Sequence, residues 1–306
     1  MTEPSQSQRS APPTPSSEDV GRLYDENTEV VDSAAGGNIH SGYWENDADT
    51  SSLDKATDRL TDLVAERLDP AAGGRLLDIG CGTGSPAFRI ATGWQARVTG
   101  ITVSREELAV AQARAAGAGL TGTVSFHHAD AMDLPVGQEP FGAGEFDGAW
   151  AIESLMHMSD RAAALTGAAR ALRPGGRLVV ADVLLRRPVT GETKEFVDRM
   201  CQAFQAPWLP GPDEYREAVR AAGLELVEFT DIGENVRRTY RAFSEILGDA
   251  AAHGAPGPSG DEAGAGAGGS TEDSGNEFLG STDDLPRFGD LPEIGYVLLV
   301  ARRPDA

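Results

Sequence analysis

The chain has 306 residues, 40% of them hydrophobic, and carries 48 acidic against 26 basic side chains, a formal charge of −22. Such an excess repels nucleic acid phosphates and anionic lipid surfaces, so neither is an expected partner. The longest apolar runs, around residues 177–185 and 296–301, are strand-sized and fall short of a membrane span. Cys81 and Cys201 make neither a disulfide framework nor a metal-ligand spacing. A soluble, cytoplasmic protein is expected, as a monomer or homodimer.

Residues 1–17 are rich in Ser and Pro, without the apolar core of a secretory signal, and read as a disordered tail. From Glu18 a short helix is expected, with Ser17 as its capping residue three positions before an apolar run. Residues 36–44, GGNIHSGYW, form a glycine- and aromatic-containing loop suited to folding over a ligand. Leu53, Ala56, Leu60, Leu63, Val64 and Leu68 then follow helical spacing, closed by Asp69-Pro70. Between residues 75 and 185 strand-like runs rich in Val, Leu and Ile alternate with helical segments, the pattern of a parallel sheet with right-handed crossovers. Two helices follow, at residues 193–206 and 212–223, then a strand at 224–232 and a helix at 235–252. Residues 254–284 are of low complexity and read as a disordered loop, and a strong final strand lies at about 293–303. The organisation expected is one domain over residues 18–306, with a cofactor half at about 52–185 and an acceptor lid at about 186–250.

Residues 76–84, LLDIGCGTG, are an apolar strand that ends in an acid and runs into a glycine-rich turn before a helix. Glycines at such a turn let the backbone approach a bound nucleotide. A nicotinamide fingerprint would place its third glycine at position 85, which is Ser85, and the acid usual at the end of its second strand is absent.

The motif resembles motif I of the class I S-adenosylmethionine-dependent methyltransferases, and further pieces follow in family order. Gly100-Ile101-Thr102-Val103-Ser104 resembles the turn after strand two of the small-molecule branch, and Ala129-Asp130-Ala131-Met132-Asp133-Leu134-Pro135 resembles the acidic motif beside the adenine. Phe146-Asp147, Glu153-Ser154 and Leu172-Arg173-Pro174-Gly175-Gly176 match the fourth strand and the turn before the fifth. Within the branch, Leu23-Tyr24-Asp25, the run from Asn38 to Glu45, residues 153–161 and Gly295-Tyr296-Val297-Leu298 are similar to the rebeccamycin-type sugar O-methyltransferases. The resemblance implies an α/β, Rossmann-like seven-stranded methyltransferase fold, with a helical insertion between strands 5 and 6 covering the active site. It also implies S-adenosyl-L-methionine as cofactor, held by Tyr24, Tyr43, Trp44, Asp78, Gly80, Gly82, Thr102, Ser104, Glu107, Asp130, Ala131 and Met132. Tyr43 and Trp44 could instead be core packing. Glu107 stands where the branch has a glutamine; its carboxylate could accept from ribose hydroxyls, or it could be an exposed residue in a first helical turn.

Methyl transfer to an alcohol needs a base to take one proton, and His157, just after the fourth strand, is of a type that titrates near neutrality. The family has two adjacent histidines here, of which the first is Met156 in this chain. Asp182 matches an acid that in the family lies beside the acceptor, where it could orient His157 or hold a substrate hydroxyl; alternatively it caps a turn. His127 and His128 have no partners at metal-ligand spacing and read as structural, and no metal is expected. Phe196, Met200 and Phe204 share one helical face, suiting either a core or, with Trp208, Tyr240 and Phe243, an apolar lid over a bulky ring. The function expected is methylation of a hydroxyl, in particular a sugar hydroxyl, of a bulky natural product in secondary metabolism such as antibiotic biosynthesis. N- or C-methylation, and non-methylating cyclisation or decarboxylation on the same cofactor fold, are the alternatives.

Overall fold

The computed structural model describes residues 14–35, 37–252 and 283–305. Most of the expected N-terminal tail and nearly all of the expected loop at 254–284 lie outside the described residues. Seven strands form one sheet in the order β3-β2-β1-β4-β5-β7-β6. They are β1 (Arg75–Ile79), β2 (Arg97–Thr102), β3 (Val124–His128), β4 (Phe146–Ile152), β5 (Leu172–Leu185), β6 (Glu225–Asp231) and β7 (Ile294–Arg302). The first five are parallel, and β7 inserts antiparallel between β5 and β6. This is a Rossmann-like sheet: its five parallel strands are what the alternation predicted, and its seven-strand total is what the resemblance implied.

Both faces of the sheet are covered, which is why its central strands are almost continuously apolar. Leu76, Trp150, Val179 and Leu298 pack into one layer, and their neighbours Leu77, Ala149, Leu178 and Leu299 into the other. Helices α2 (Leu53–Leu68), α3 (Ser85–Gly93) and α4 (Arg105–Gly117) bury residues such as Leu60, Ile90 and Ala111 in the first layer. Helix α5 (Arg161–Ala171) buries Leu165 and Ala168 in the second. β5 ends at Leu185 as expected but starts earlier. It pairs first at Leu172, before the Arg173–Gly176 turn, and continues three residues past Asp182 because β7 keeps pairing to Leu185.

The N-terminal helix α1 (Ser17–Ala35) is 19 residues long rather than short, and Ser17 is not its cap. Ser16 and Asp19 cap it: the Ser16 N–H and hydroxyl donate to Asp19 Oδ2, and the Asp19 N–H donates to Ser16 Oγ. Ser17, one place on, is turned the other way and donates to Asp130 Oδ2 at 2.6 Å.

The expected roof also changes place. Helices α6 (Gly191–Ala203) and α7 (Pro212–Ala221) lie between β5 and β6, but Phe196 and Met200 of α6 are core residues. Trp208 is 41% exposed and stacks over the Arg161 guanidinium, so it is no lid residue. From this insertion only Phe204 reaches the main cavity. The remaining roof comes from between β6 and β7, after the short helix α8 (Gly233–Val236). Tyr240, Phe243 and Ile246 of α9 (Arg238–Ala252) and Leu285 of α10 (Asp284–Gly289) line that cavity. Phe288 of α10 clamps the two parts edge-on, with ring centroids 5.6 Å from Phe204 and 5.3 Å from Tyr240.

Helix α1 is tied to the sheet through Asp25. Its Oδ1 accepts from Ser104 Oγ (2.6 Å) and from the N–H groups of Arg105 (2.8 Å) and Glu106 (3.1 Å), at the positive end of α4. Asp25→Ala leaves these donors to water, and chemical denaturation is expected to show a loss of about 1–2 kcal/mol, the range of a lost helix cap.

Candidate active site

The C-terminal ends of β1, β2, β3 and β4 open onto one cavity of about 240 Å³, at the edge of the sheet where doubly wound folds bind ligands. Its first wall is the turn after β1. Gly80, Gly82 and Gly84 all have positive φ (77°, 53° and 90°), a region that costs side-chain-bearing residues energy. At Gly80 a Cβ would collide with Ser154, whose hydroxyl donates to the Ile79 carbonyl at 2.6 Å and locks the end of β4 against that of β1. The Gly80 and Cys81 N–H groups both donate to the Ile101 carbonyl.

Acidic groups line the same end. Asp78 is buried, and its Oδ2 has no hydrogen-bond partner; the nearby indole of Trp150, its register neighbour on β4, has a buried N–H that also makes no hydrogen bond. Burial pushes the Asp78 carboxyl well above its usual range. Glu107 is buried in the first turn of α4, so the exposed reading is excluded. It accepts from Thr102 Oγ1 at 2.6 Å, and burial, opposed by that bond, raises its pKa to about 7. Its Oε1 lies 3.7 Å from where a Cβ on Gly82 would stand, so glycine keeps the approach open. Asp130 Oδ1 accepts from the Met132 N–H and caps the 3-10 turn Ala131–Asp133; Asp130, Ala131 and Met132 all line the cavity.

Of the expected cofactor residues, Tyr24, Asp78, Gly80, Gly82, Thr102, Glu107, Asp130, Ala131 and Met132 converge here. Three do not. Ser104 is fully buried off the wall, where its hydroxyl caps α4 by accepting from the Glu107 N–H. Trp44 is 3% exposed, packs beside Gly42 and donates to the Ser51 carbonyl, and Tyr43 turns toward a shallow outer depression. The loop meets the cavity instead through Asn38, Ile39, His40 and Ser41, because Trp44 is drawn away under the Arg238 guanidinium.

At the far end of the cavity stands His157, in the 3-10 turn Leu155–His157 after β4. Its Nε2 lies 2.9 Å from Tyr24 Oη, while its Nδ1 is buried without a hydrogen-bond partner. Surrounding protein pushes its pKa down to about 4, opposed by the backbone of Gln205 and Phe204 and aided by the Arg161 charge, so the ring is neutral at pH 7. Arg161, which the sequence reading passed over, is buried and donates to the carbonyls of Leu155, Met156 and Trp208, fixing the turn that carries His157.

Asp182 makes no hydrogen bond to His157 and does not line the cavity. Fully buried, it accepts from the N–H groups of Met156 (2.9 Å) and Val183 (2.8 Å) and so holds the backbone beside His157. Burial and the Glu153 charge raise its pKa to about 7. Glu153, also passed over, adopts φ +48° at the end of β4 and accepts from the Ser41 N–H (2.7 Å) and Tyr296 Oη (2.9 Å). A strained non-glycine residue on a cavity wall is a mark of a functional site. His127 and His128 are structural, with ring contacts to Phe141 and to the Val103 carbonyl. Among the described residues no His, Cys, Asp or Glu cluster could hold a metal ion, and no helix is long and apolar enough to cross a membrane.

A family model described as a methyltransferase domain matches residues 76–176. The chain is 37% identical over 299 residues to the 27-O-demethylrifamycin SV methyltransferase of Amycolatopsis mediterranei, covering 96% of this chain and 99% of that protein. The chain belongs to the class I S-adenosylmethionine-dependent methyltransferases. It is also 43% identical over 223 residues to the O-methyltransferase resE of Aspergillus sclerotiorum, 73% of this methyltransferase and 82% of the relative. Among solved structures, that of the [4+2]-cyclase SpnF superposes with a TM-score of 0.78 at 36% identity, covering 97% of this chain and 99% of that one.

The methyltransferase's cofactor is S-adenosylmethionine, and the first half of the cavity fits it. Asp78 Oδ2 and Asn38 Oδ1 are acceptors on the wall without a protein partner, suited to the ammonium and hydroxyl donors of such a molecule, and the glycine turn leaves its backbone accessible. Glu107 is positioned to accept from further hydroxyls. Glu107→Ala is expected to weaken S-adenosylhomocysteine binding on the order of 10-fold or more in calorimetric titration, the cost of a charged hydrogen bond, with the circular dichroism spectrum unchanged.

Proposed function

We propose that this methyltransferase methylates a hydroxyl group of a bulky, carbon-rich natural product, with His157 as the general base. The observation that carries the reading is the position of a neutral histidine in a cavity continuous with the cofactor cradle. Its distal walls are Met156, Val183, Phe204, Phe243, Ile246 and Leu285. An apolar wall of this kind favours the ring or macrocycle face of an acceptor. Met156, in place of the first family histidine, adds apolar surface and no second proton acceptor. A sugar hydroxyl, implied by the rebeccamycin-type resemblance, is thereby less favoured than one borne on an apolar skeleton. The name of the rifamycin relative, a methyltransferase acting at an oxygen, supports the same reaction class.

When bound, S-adenosylmethionine supplies an electrophilic methyl on a sulfonium. The chain's own part is to bury the acceptor away from water, orient its oxygen and accept its proton. Asp182 and Arg161 contribute by fixing the backbone of Leu155 and Met156, directly before His157, which are positioning roles. The buried ring is unprotonated at neutral pH and ready to act as a base.

A second reading, a cyclase that keeps the cofactor intact, is favoured by the likeness to SpnF. Incubation with S-adenosylmethionine and 27-O-demethylrifamycin SV, beside a panel of glycosylated and unglycosylated polycyclic alcohols, separates the two. Formation of S-adenosylhomocysteine with a product heavier by one methyl supports the proposal. A product isomeric with its precursor and an unconsumed cofactor supports the cyclase. Methylated amines or carbons in place of ethers would move the reading to N- or C-transfer.

His157→Ala is expected to lower kcat on the order of 100-fold or more while leaving cofactor affinity nearly unchanged. Because burial lowers the His157 pKa, the rate should fall only as pH drops well below the ordinary 6.5, toward about 4. That acid limb should be missing from the residual activity of the variant.

A further inference from the structure

Resting on the assignment of His157 as base, the contacts of its ring raise the question of how an acceptor could reach it. One ring nitrogen, Nδ1, is buried and makes no hydrogen bond within the protein. The other, Nε2, is covered by the Tyr24 hydroxyl at 2.9 Å, the two rings meeting edge-on with centroids 5.5 Å apart. Tyr24 itself lines the cavity. His157 lines the same cavity, but the hydrogen-bonding position at its Nε2 is taken by Tyr24 Oη, so a hydroxyl directed at that nitrogen meets Tyr24 first.

The geometry points to Tyr24 as a catalytic residue that relays the acceptor's proton to His157. In the step, the acceptor O–H gives its proton to Tyr24 Oη as the Tyr24 proton passes to His157 Nε2. The acceptor oxygen forms its bond to the methyl carbon, and the carbon–sulfur bond breaks with its electron pair left on sulfur. The products are the ether, a neutral thioether, a tyrosine restored to its hydroxyl form and an imidazolium that afterwards releases its proton. No further reactant is needed.

The direction of the Tyr24–His157 hydrogen bond follows from their surroundings. Burial, and the charges of Glu107, Glu153 and Asp182, hold the Tyr24 phenol far above its ordinary pKa, so it keeps its proton and can donate. The backbone of Gln205 and Phe204 favours added positive charge on the imidazole, as carbonyl oxygens facing a ring N–H do. A proton on Nδ1 suits those neighbours and leaves Nε2 as the acceptor for Tyr24.

The placement of Tyr24 is also controlled. It sits one residue before Asp25, whose carboxylate holds the start of α4, and seven after Ser17, which is bound to Asp130. The second anchor lies on the cavity wall, where Ser17 and Asp130 both line it, and the first lies just behind that wall. Tyr24 thus joins the cofactor cradle to the base, where the resemblance alone implied only a cofactor wall.

The test uses the full chain labelled with ¹⁵N-histidine and saturated with S-adenosylhomocysteine. The relay requires a neutral His157 with its proton on Nδ1, and a shift of the Nε2 resonance in Tyr24→Phe; a proton on Nε2 overturns it. In turnover of 27-O-demethylrifamycin SV, Tyr24→Phe should lower kcat about 10-fold or more at unchanged S-adenosylhomocysteine affinity, and adding Tyr24→Phe to His157→Ala should cost little further. A Tyr24→Phe variant that keeps its kcat but binds the cofactor more weakly makes Tyr24 a cofactor wall and overturns the relay, while a His157→Ala loss in the same assay leaves the base assignment standing. Full turnover by His157→Ala removes the base itself.

Discussion

The arrangement of this active site depends on a carboxylate at a helix start. The first N–H groups of α4 have no partners within their own helix, and Asp25 of α1 satisfies two of them together with the Ser104 hydroxyl. An anion at that position is favoured by the helix dipole as well as by the hydrogen bonds. Because α4 begins where β2 ends, the contact sets α1 across the junction that carries Thr102 at the end of β2 and Glu107 in the first turn of α4. Tyr24 is delivered to His157 by the same contact. A capping interaction thus determines the geometry of the His157 end of the cavity.

Around this anchor, the chemistry divides along the cavity. The cradle end is acidic and dry: Asp78 and Glu107 are both buried and both held above the usual carboxylate range. Buried carboxylates are costly unless hydrogen-bonded, and partners bearing ammonium or hydroxyl groups would relieve that cost. The distal end is apolar, with a neutral imidazole and phenol as its polar pair. Placing buried carboxyl groups at one end and a neutral imidazole and phenol at the other separates the end that can meet a cationic cofactor from the apolar end.

Strain is concentrated where the two ends meet. Glu153 is held at φ +48° directly after β4, and the hydrogen bonds of its side chain to Ser41 and Tyr296 join the rim loop to β7. Ser154 ties the same point to β1. Asp182 and Arg161 then hold the next two residues, Leu155 and Met156, by their backbone groups. The histidine is placed by this framework of backbone contacts, with Tyr24 as the side-chain partner at its Nε2.

The parallel sheet, the glycine turn at residues 80–84 and the acids at positions 78, 107 and 130 were legible in the sequence. They are local patterns, in which an apolar run, a positive-φ turn and an adjacent acid lie within a few residues. Long-range choices were not legible. Tyr43 and Trp44 look equally suited to a wall or a core, and only packing against Ala56 and Arg238 draws Trp44 inward. Ser16 and Ser17 are adjacent hydroxyls, and helix phase alone assigns one to the cap and the other to Asp130. The roof came from α9 and α10 because the sheet order sets β7 beside β5, bringing the chain between β6 and β7 over the cavity. Composition bounded the class, and the motif at residues 76–84 with those after it, by resemblance, pointed to the family; tertiary structure alone decided that the partner of His157 is Tyr24 and not Asp182, since residues 24 and 157 meet only when α1 docks on α4.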